Sequence, residues 1–153
     1  LFPYTTLFRS PYTSVLTGAS PRCHIHADHT VLYGDVAMRD LLLQGAGAIA
    51  IVVSLIHGVL GETKIFARAT IEPPRLRFLL HLVYQAGTVA WIGGGVLLVA
   101  APTMASDAAR HWIVATLAIV FGCAALANAV ATRFRHFGWM AMSAVVALAA
   151  AGY

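Results

Sequence analysis

The sequence predicts an all-α protein, a four-helix transmembrane bundle of up-down topology. Three observations carry that expectation: an unusually apolar composition, four long runs without a charged residue, and helix breakers placed between those runs. Of 153 residues, 59% are hydrophobic and 10% charged, with a mean hydropathy of +0.78. Soluble domains carry about 25% charged residues, so this composition requires lipid in place of water around much of the surface. Membrane barrel strands would alternate apolar and polar side chains, and these runs do not.

The first run, 41–60, reads LLLQGAGAIAIVVSLIHGVL. Twenty helical residues rise about 30 Å, the thickness of a bilayer core. Asp40 stands in front of it as an expected N-cap. The second run, 78–101, is closed by Pro102, and Pro73-Pro74 separates it from the first. The third, 112–131, has Ser106 or Asp107 available to cap its start, and the fourth, 137–153, is short. Trp112 and Trp139 stand at span ends as interfacial anchors do, whereas Trp91 lies deep in its run.

The formal net charge of +4 comes from arginines clustered between these runs. The 61–77 loop holds Lys64, Arg68, Arg75 and Arg77, and the 132–136 loop holds Arg133 and Arg135. On the other side of the spans stand Arg39 and Arg110, joined by Arg9 and Arg22 if the leader is counted. The positive-inside rule then places the two richer loops in the cytoplasm and both termini in the periplasm. The expected partners are the lipid bilayer and, within it, a second copy or another membrane protein. A nucleic-acid partner is not expected, because the charge is distributed as topology signals.

Residues 1–37 form the expected leader, non-native or disordered. LFPYTTLFRS, residues 1–10, is encoded by the end of a common high-throughput sequencing adapter. It has no charged n-region followed by an apolar h-region, so it fails as a signal peptide. Met38 is the first methionine, and the membrane domain is expected over 38–153. The leader also holds CHIHADH, in which Cys23, His24, His26, Asp28 and His29 are weak candidates for zinc or copper ligands. Metal sites usually draw ligands from two folded elements, so no metal is expected here.

Polar side chains inside spans are costly and are functional candidates by default. His57, His81 and Asn128 each lie three residues from the same side of their spans, so antiparallel neighbours bring them to one depth. His81, Gln85 and Thr88 follow i, i+4, i+7 spacing and form one stripe. These five residues are expected to form a buried polar layer of interhelical hydrogen bonds, each worth about 0.6 kcal/mol. Glu62 lies well round the helix from His57 and is expected at the interface, with Arg77 or Arg133 as partner. Two facing histidines, His57 and His81, also suit a proton relay or the axial ligation of a b-type haem. Cys123 reads as a small core or lipid-facing residue, and Gly93, Gly94, Gly95 and the Ser143, Ala147, Ala151 series read as close-packing surfaces.

HGVLGE at 57–62 and RLRFLLHLVYQAGTVAW at 75–91 resemble segments of small bacterial four-span inner-membrane proteins of uncharacterised activity. The resemblance implies a multi-pass inner-membrane location and no particular chemistry. The residues themselves show no nucleophile–base pair and no phosphate loop, so a non-enzymatic protein without a cofactor is expected. It would be an oligomeric accessory or small-solute permeation subunit, with redox or proton handling by His57 and His81 as the alternative.

Overall fold

The computed structural model describes residues 25–153, with side chains from Gly34 onward. The adapter-like segment, Cys23 and His24 lie outside the described residues, as do the side chains of His26, Asp28 and His29. The elements are α1 (Ile25–Leu60), a π-helical turn (Gly61–Phe66), α2 (Pro74–Ala100), a short 3-10 turn (Ala101–Thr103), α3 (Asp107–Ala131) and α4 (Gly138–Ala151). The protein is an all-α bundle. Its first three helices are long and apolar enough to cross a membrane, whereas α4, with 14 residues, rises about 21 Å.

Local chemistry sets most of the boundaries. Pro74 occupies the first turn of α2, where a missing N–H costs nothing, and Pro102 ends that helix by removing one. The Ser106 hydroxyl accepts from the Ala109 N–H at 3.3 Å and caps α3, as expected. Between α3 and α4, Arg133 and Phe134 adopt left-handed backbone with φ of 49° and 61°. The Phe134 N–H reaches the Ala129 carbonyl at 2.8 Å, a helix-ending closure usually built on glycine. The Phe134 ring packs edge-on against Trp139 at 5.5 Å, which offsets part of that strain.

One expected boundary is corrected. α1 already runs at Ile25, well before residue 41, and Gly34 within it does not interrupt the helix. Asp40 therefore lies inside the helix and is no N-cap. Its carboxylate instead accepts from Arg110 Nη2 at 2.9 Å, tying α1 to the start of α3.

Successive helices run antiparallel. α1 packs closely on α2 and α4, and α3 packs on α4, while α2 meets α3 sparsely. The core joins Leu43 and Ala50 of α1, Leu98 of α2, Phe121 of α3, and Val145 and Ala149 of α4. Outside it, Val52, Val89, Ile119 and Leu126 are each more than half exposed. That ring of exposed apolar side chains is what a lipid-facing surface requires. The 61–73 and 132–137 connections share one end of the bundle, so Lys64, Arg68, Arg133 and Arg135 gather there, opposite Arg39 and Arg110.

Candidate functional site

The polar residues of the spans gather at the Glu62 end, and glycine packing puts them there. Gly47, Gly58 and Gly61 lie on one face of α1 at spacings close to whole helical turns. A Cβ on Gly58 would stand 2.9 Å from the Thr88 methyl, and one on Gly61 would stand 2.7 Å from Tyr84 Cζ. At the other end, a Cβ on Gly95 would stand 2.9 Å from the Gly47 carbonyl oxygen. Bare backbone thus lets α1 lie directly against the His81–Gln85–Thr88 stripe of α2.

Glu62 follows Gly58 by about one helical turn and so falls on the face turned to α2, where its carboxylate Oε1 meets both His81 Nε2 and Gln85 Nε2. Neither expected arginine takes part. Arg77 donates through Nη2 to the Phe66 carbonyl at 2.7 Å, closing the end of the π turn. Arg133 forms no ion pair among the described residues. The Glu62–His81 contact is open to the surroundings, with side chains 45% and 38% exposed, so it belongs to the surface of the bundle.

His57 stands on the inner side of this cluster. Its ring stacks on Tyr84 at 4.4 Å and 16°, and the Tyr84 hydroxyl donates to the His57 carbonyl at 3.0 Å. Trp91 lies 4.9 Å from the same imidazole. His81 leans instead on Phe66 at 5.0 Å, and Phe66 meets Tyr84 edge-on at 5.4 Å. The rings therefore run His81, Phe66, Tyr84, His57, and the two histidines do not face each other. Two imidazoles sandwiching a haem would need that intervening space.

Beyond His57, a cavity of about 30 Å³ is lined by Asn128, His136, Gly138 and apolar side chains of α1 and α4. That volume suits one or two waters. Asn128 Oδ1 is sealed there without a partner among the described residues. His136 Nδ1 accepts from the Gly138 N–H at 3.1 Å, which places the proton of the neutral ring on Nε2. Thr88 is buried and donates to the Tyr84 carbonyl at 3.2 Å within its own helix.

The expected single layer thus divides in two. His81 and Gln85 join Glu62 on the outer side, and His57 and Asn128 join His136 on the inner side, with Tyr84 between. Tyr84, which the sequence places only on the flank of the stripe, and Phe66 and His136, which it does not single out, complete these clusters. The first of these had a signal, since Tyr84, Thr88 and Trp91 follow i, i+4, i+7 spacing. No group of three or more His, Cys, Asp or Glu side chains able to hold a metal occurs among the described residues. No family model, curated protein or solved structure matches the chain.

Proposed function

We propose that this is a non-enzymatic membrane protein, an accessory or small-solute permeation subunit that works as an oligomer. One observation carries the reading: Glu62, Gln85 and Thr88 line an outer groove between α1 and α2, while the inner cavity beside His57, Asn128 and His136 is only about 30 Å³. The groove, about 380 Å³, is lined by Leu55, Gly58, Val59, Glu62, Gln85 and Thr88. A carboxylate at the edge of hydrocarbon is expensive unless water or protein covers it. A second copy, or another membrane subunit, packed on this groove would supply that cover.

The test uses the full chain with Cys23 and Cys123 changed to Ser and a single cysteine at Val59 or at Leu126, on the far helix α3. Oxidation in native vesicles is expected to link copies at Val59 and not at Leu126. Linking at Leu126 alone would move the contact off the groove, and linking at neither site together with a monomeric mass in detergent would sink the oligomer reading.

A second reading, proton handling, is supported by the Glu62–His81 contact. A carboxylate hydrogen-bonded to an imidazole at a membrane boundary is an arrangement through which a proton can pass. The sequence assigned this alternative to His57 and His81, and in the structure His81 pairs instead with Glu62, which lies against the span stripe. Vesicles loaded with a pH-sensitive dye should show proton flux that Glu62→Gln abolishes. Equal flux in the wild type, the variant and empty vesicles would reject it.

Location belongs to the same proposal. The resemblance supports a bacterial inner membrane, α4 completes a fourth crossing, and the Glu62 end with its six basic residues lies in the cytoplasm. Membrane-impermeant thiol labelling of cysteines at Ala105 and Arg68 should then succeed from opposite sides. Labelling from the same side, or from the reverse pair of sides, would overturn it.

A further inference from the structure

Between α3 and α4 the bundle surface carries a second outer groove, of about 290 Å³. Gly122, Leu126 and Ala129 of α3 form one wall, and Trp139, Ser143 and Val146 of α4 form the other. Each set follows i, i+4, i+7 spacing and is therefore one stripe of its helix. Seven residues of helix make the groove about 10 Å long. It is open because small residues stand where larger side chains would fill it, and a Cβ on Gly122 would meet nothing within 4 Å. Within a bilayer such a groove is filled, since lining atoms without neighbours forfeit their dispersion contacts. Either a lipid chain or another protein fills it, and two features decide between them.

The first is how the groove ends. Towards the turn between α3 and α4 it is closed by Phe134, which packs edge-on against Trp139 at 5.5 Å. The Trp139 Nε1 donates to the Phe134 carbonyl at 3.4 Å, which fixes the indole there. Phe134 holds a left-handed backbone, φ 61°, that glycine would adopt without strain. A large ring is thus kept at this point against the preference of the backbone. Aromatic side chains at a span end mark the level of the lipid headgroups.

The second is charge. Arg133 and Arg135 flank Phe134, both are exposed, and neither forms an ion pair among the described residues. No Asp or Glu occurs between Asp107 and Tyr153, so neither wall carries a carboxylate to neutralise them. A second copy packed here about a two-fold axis would bring its own Arg133 and Arg135 to the same level. Four guanidinium groups facing one another would oppose that contact. A lipid with a negative headgroup reverses the sign of the interaction.

We propose that the α3–α4 groove binds an acyl chain of an anionic phospholipid, with the headgroup phosphate on Arg133 and Arg135. Basic residues beside a groove between membrane helices are suited to such headgroups, and guanidinium groups pair well with phosphate oxygens. A zwitterionic lipid brings an ammonium to the same two arginines and is the poorer ligand.

Native mass spectrometry of the full chain, released from nanodiscs holding equal parts of phosphatidylglycerol, phosphatidylethanolamine and phosphatidylcholine, tests the site. The wild type is expected to retain phosphatidylglycerol several-fold over the other two. Arg133→Gln with Arg135→Gln should bring the three lipids close to parity. Lys64→Gln with Arg68→Gln, which removes the same charge from the other connection at that end, should leave the preference in place. Gly122→Leu, which fills the inner part of the groove, should lower retention of phosphatidylglycerol. The four basic residues are exposed and Gly122 faces open space, and unchanged elution on size exclusion shows that each variant is folded. Equal retention of the three lipids by the wild type would overturn the proposal. So would an equal loss of preference in the two charge variants, or undiminished retention in Gly122→Leu. Disulfide linkage of copies through a cysteine at Leu126 would place a second copy in the groove and overturn it as well.

Discussion

The two edges of α2 are built differently. Towards α1 it meets three glycines: Gly47 brings backbone against backbone, Gly58 lies against the Thr88 side chain, and Gly61 lies against the locked Tyr84 ring. Towards α3 it offers Gly94, where an added Cβ would meet only Leu117 Cδ2 at 2.9 Å and the Phe121 ring at about 3.5 Å. The first edge fixes register, because the opposing groups cannot yield. The second tolerates displacement, because a leucine methyl can rotate away. In lipid no hydrophobic force selects between these edges, so close approach and the hydrogen bonds it permits decide which is rigid. The polar cluster lies on the rigid edge, where Glu62 can be held against His81 and Gln85.

The largest expected effect is at Gly61. A Cβ there enters the Tyr84 ring, which is stacked on His57 and tied to the His57 carbonyl, so it cannot step aside. Gly61→Ala is expected to destabilise by about 3 kcal/mol, at the upper end for overpacking. Unfolding in mixed micelles measures this. Tyr84→Ala in the same chain should recover part of the loss, giving a strongly non-additive cycle. Additive costs would mean that the ring is not what makes Gly61 necessary.

Gly95 and Gly94 set the two edges directly against each other. Alanine at Gly95 would press on the Ile51 side chain at 2.7 Å and, behind it, on the Gly47 carbonyl oxygen at 2.9 Å and the Ile51 nitrogen at 3.1 Å, both backbone. Alanine at Gly94 presses on a side-chain tip. Expected costs are about 2 kcal/mol for Gly95→Ala and less than about 1 kcal/mol for Gly94→Ala. Equal costs would remove the distinction between a rigid and a yielding edge.

Much of this architecture was legible in the sequence. Charge-free runs located α2, α3 and α4 within a few residues, because charge is excluded from hydrocarbon wherever it lies in the chain. Ser106 marked its cap, and spacing alone put His81, Gln85 and Thr88 on one face. Glu62 was misread for a definite reason. Charge complementarity favoured Arg77 or Arg133, whereas what decides the partners is the close approach of α1 to the α2 stripe at Gly58 and Gly61, on whose face Glu62 lies one turn after Gly58. The glycines were in view, but attention went to Gly93–Gly95 rather than to the matching face of α1. His136 had no local signal, since only the turn into α4 brings it beside Asn128.

The smallest expected effect comes from Gly93, adjacent to both packed glycines and part of neither edge. A Cβ there meets nothing within 4 Å, so the reason for glycine at 94 and 95 does not extend to it. Glycine inside a helix is worse than alanine by about 0.5–1 kcal/mol, because the unfolded chain gains more freedom. In a bilayer or micelle the unfolded reference keeps much of its helix, which reduces that gain. Gly93→Ala is therefore expected to stabilise by a few tenths of a kcal/mol, up to about 0.5. The measurement is the same micelle unfolding used for Gly94 and Gly95. A loss of 1 kcal/mol or more, outside the range set by propensity, would show that this exposed face of α2 is already covered. A neighbouring subunit would then have to pack on Gly93 as α1 packs on Gly95, and the oligomer contact would lie there instead of at the Glu62 groove.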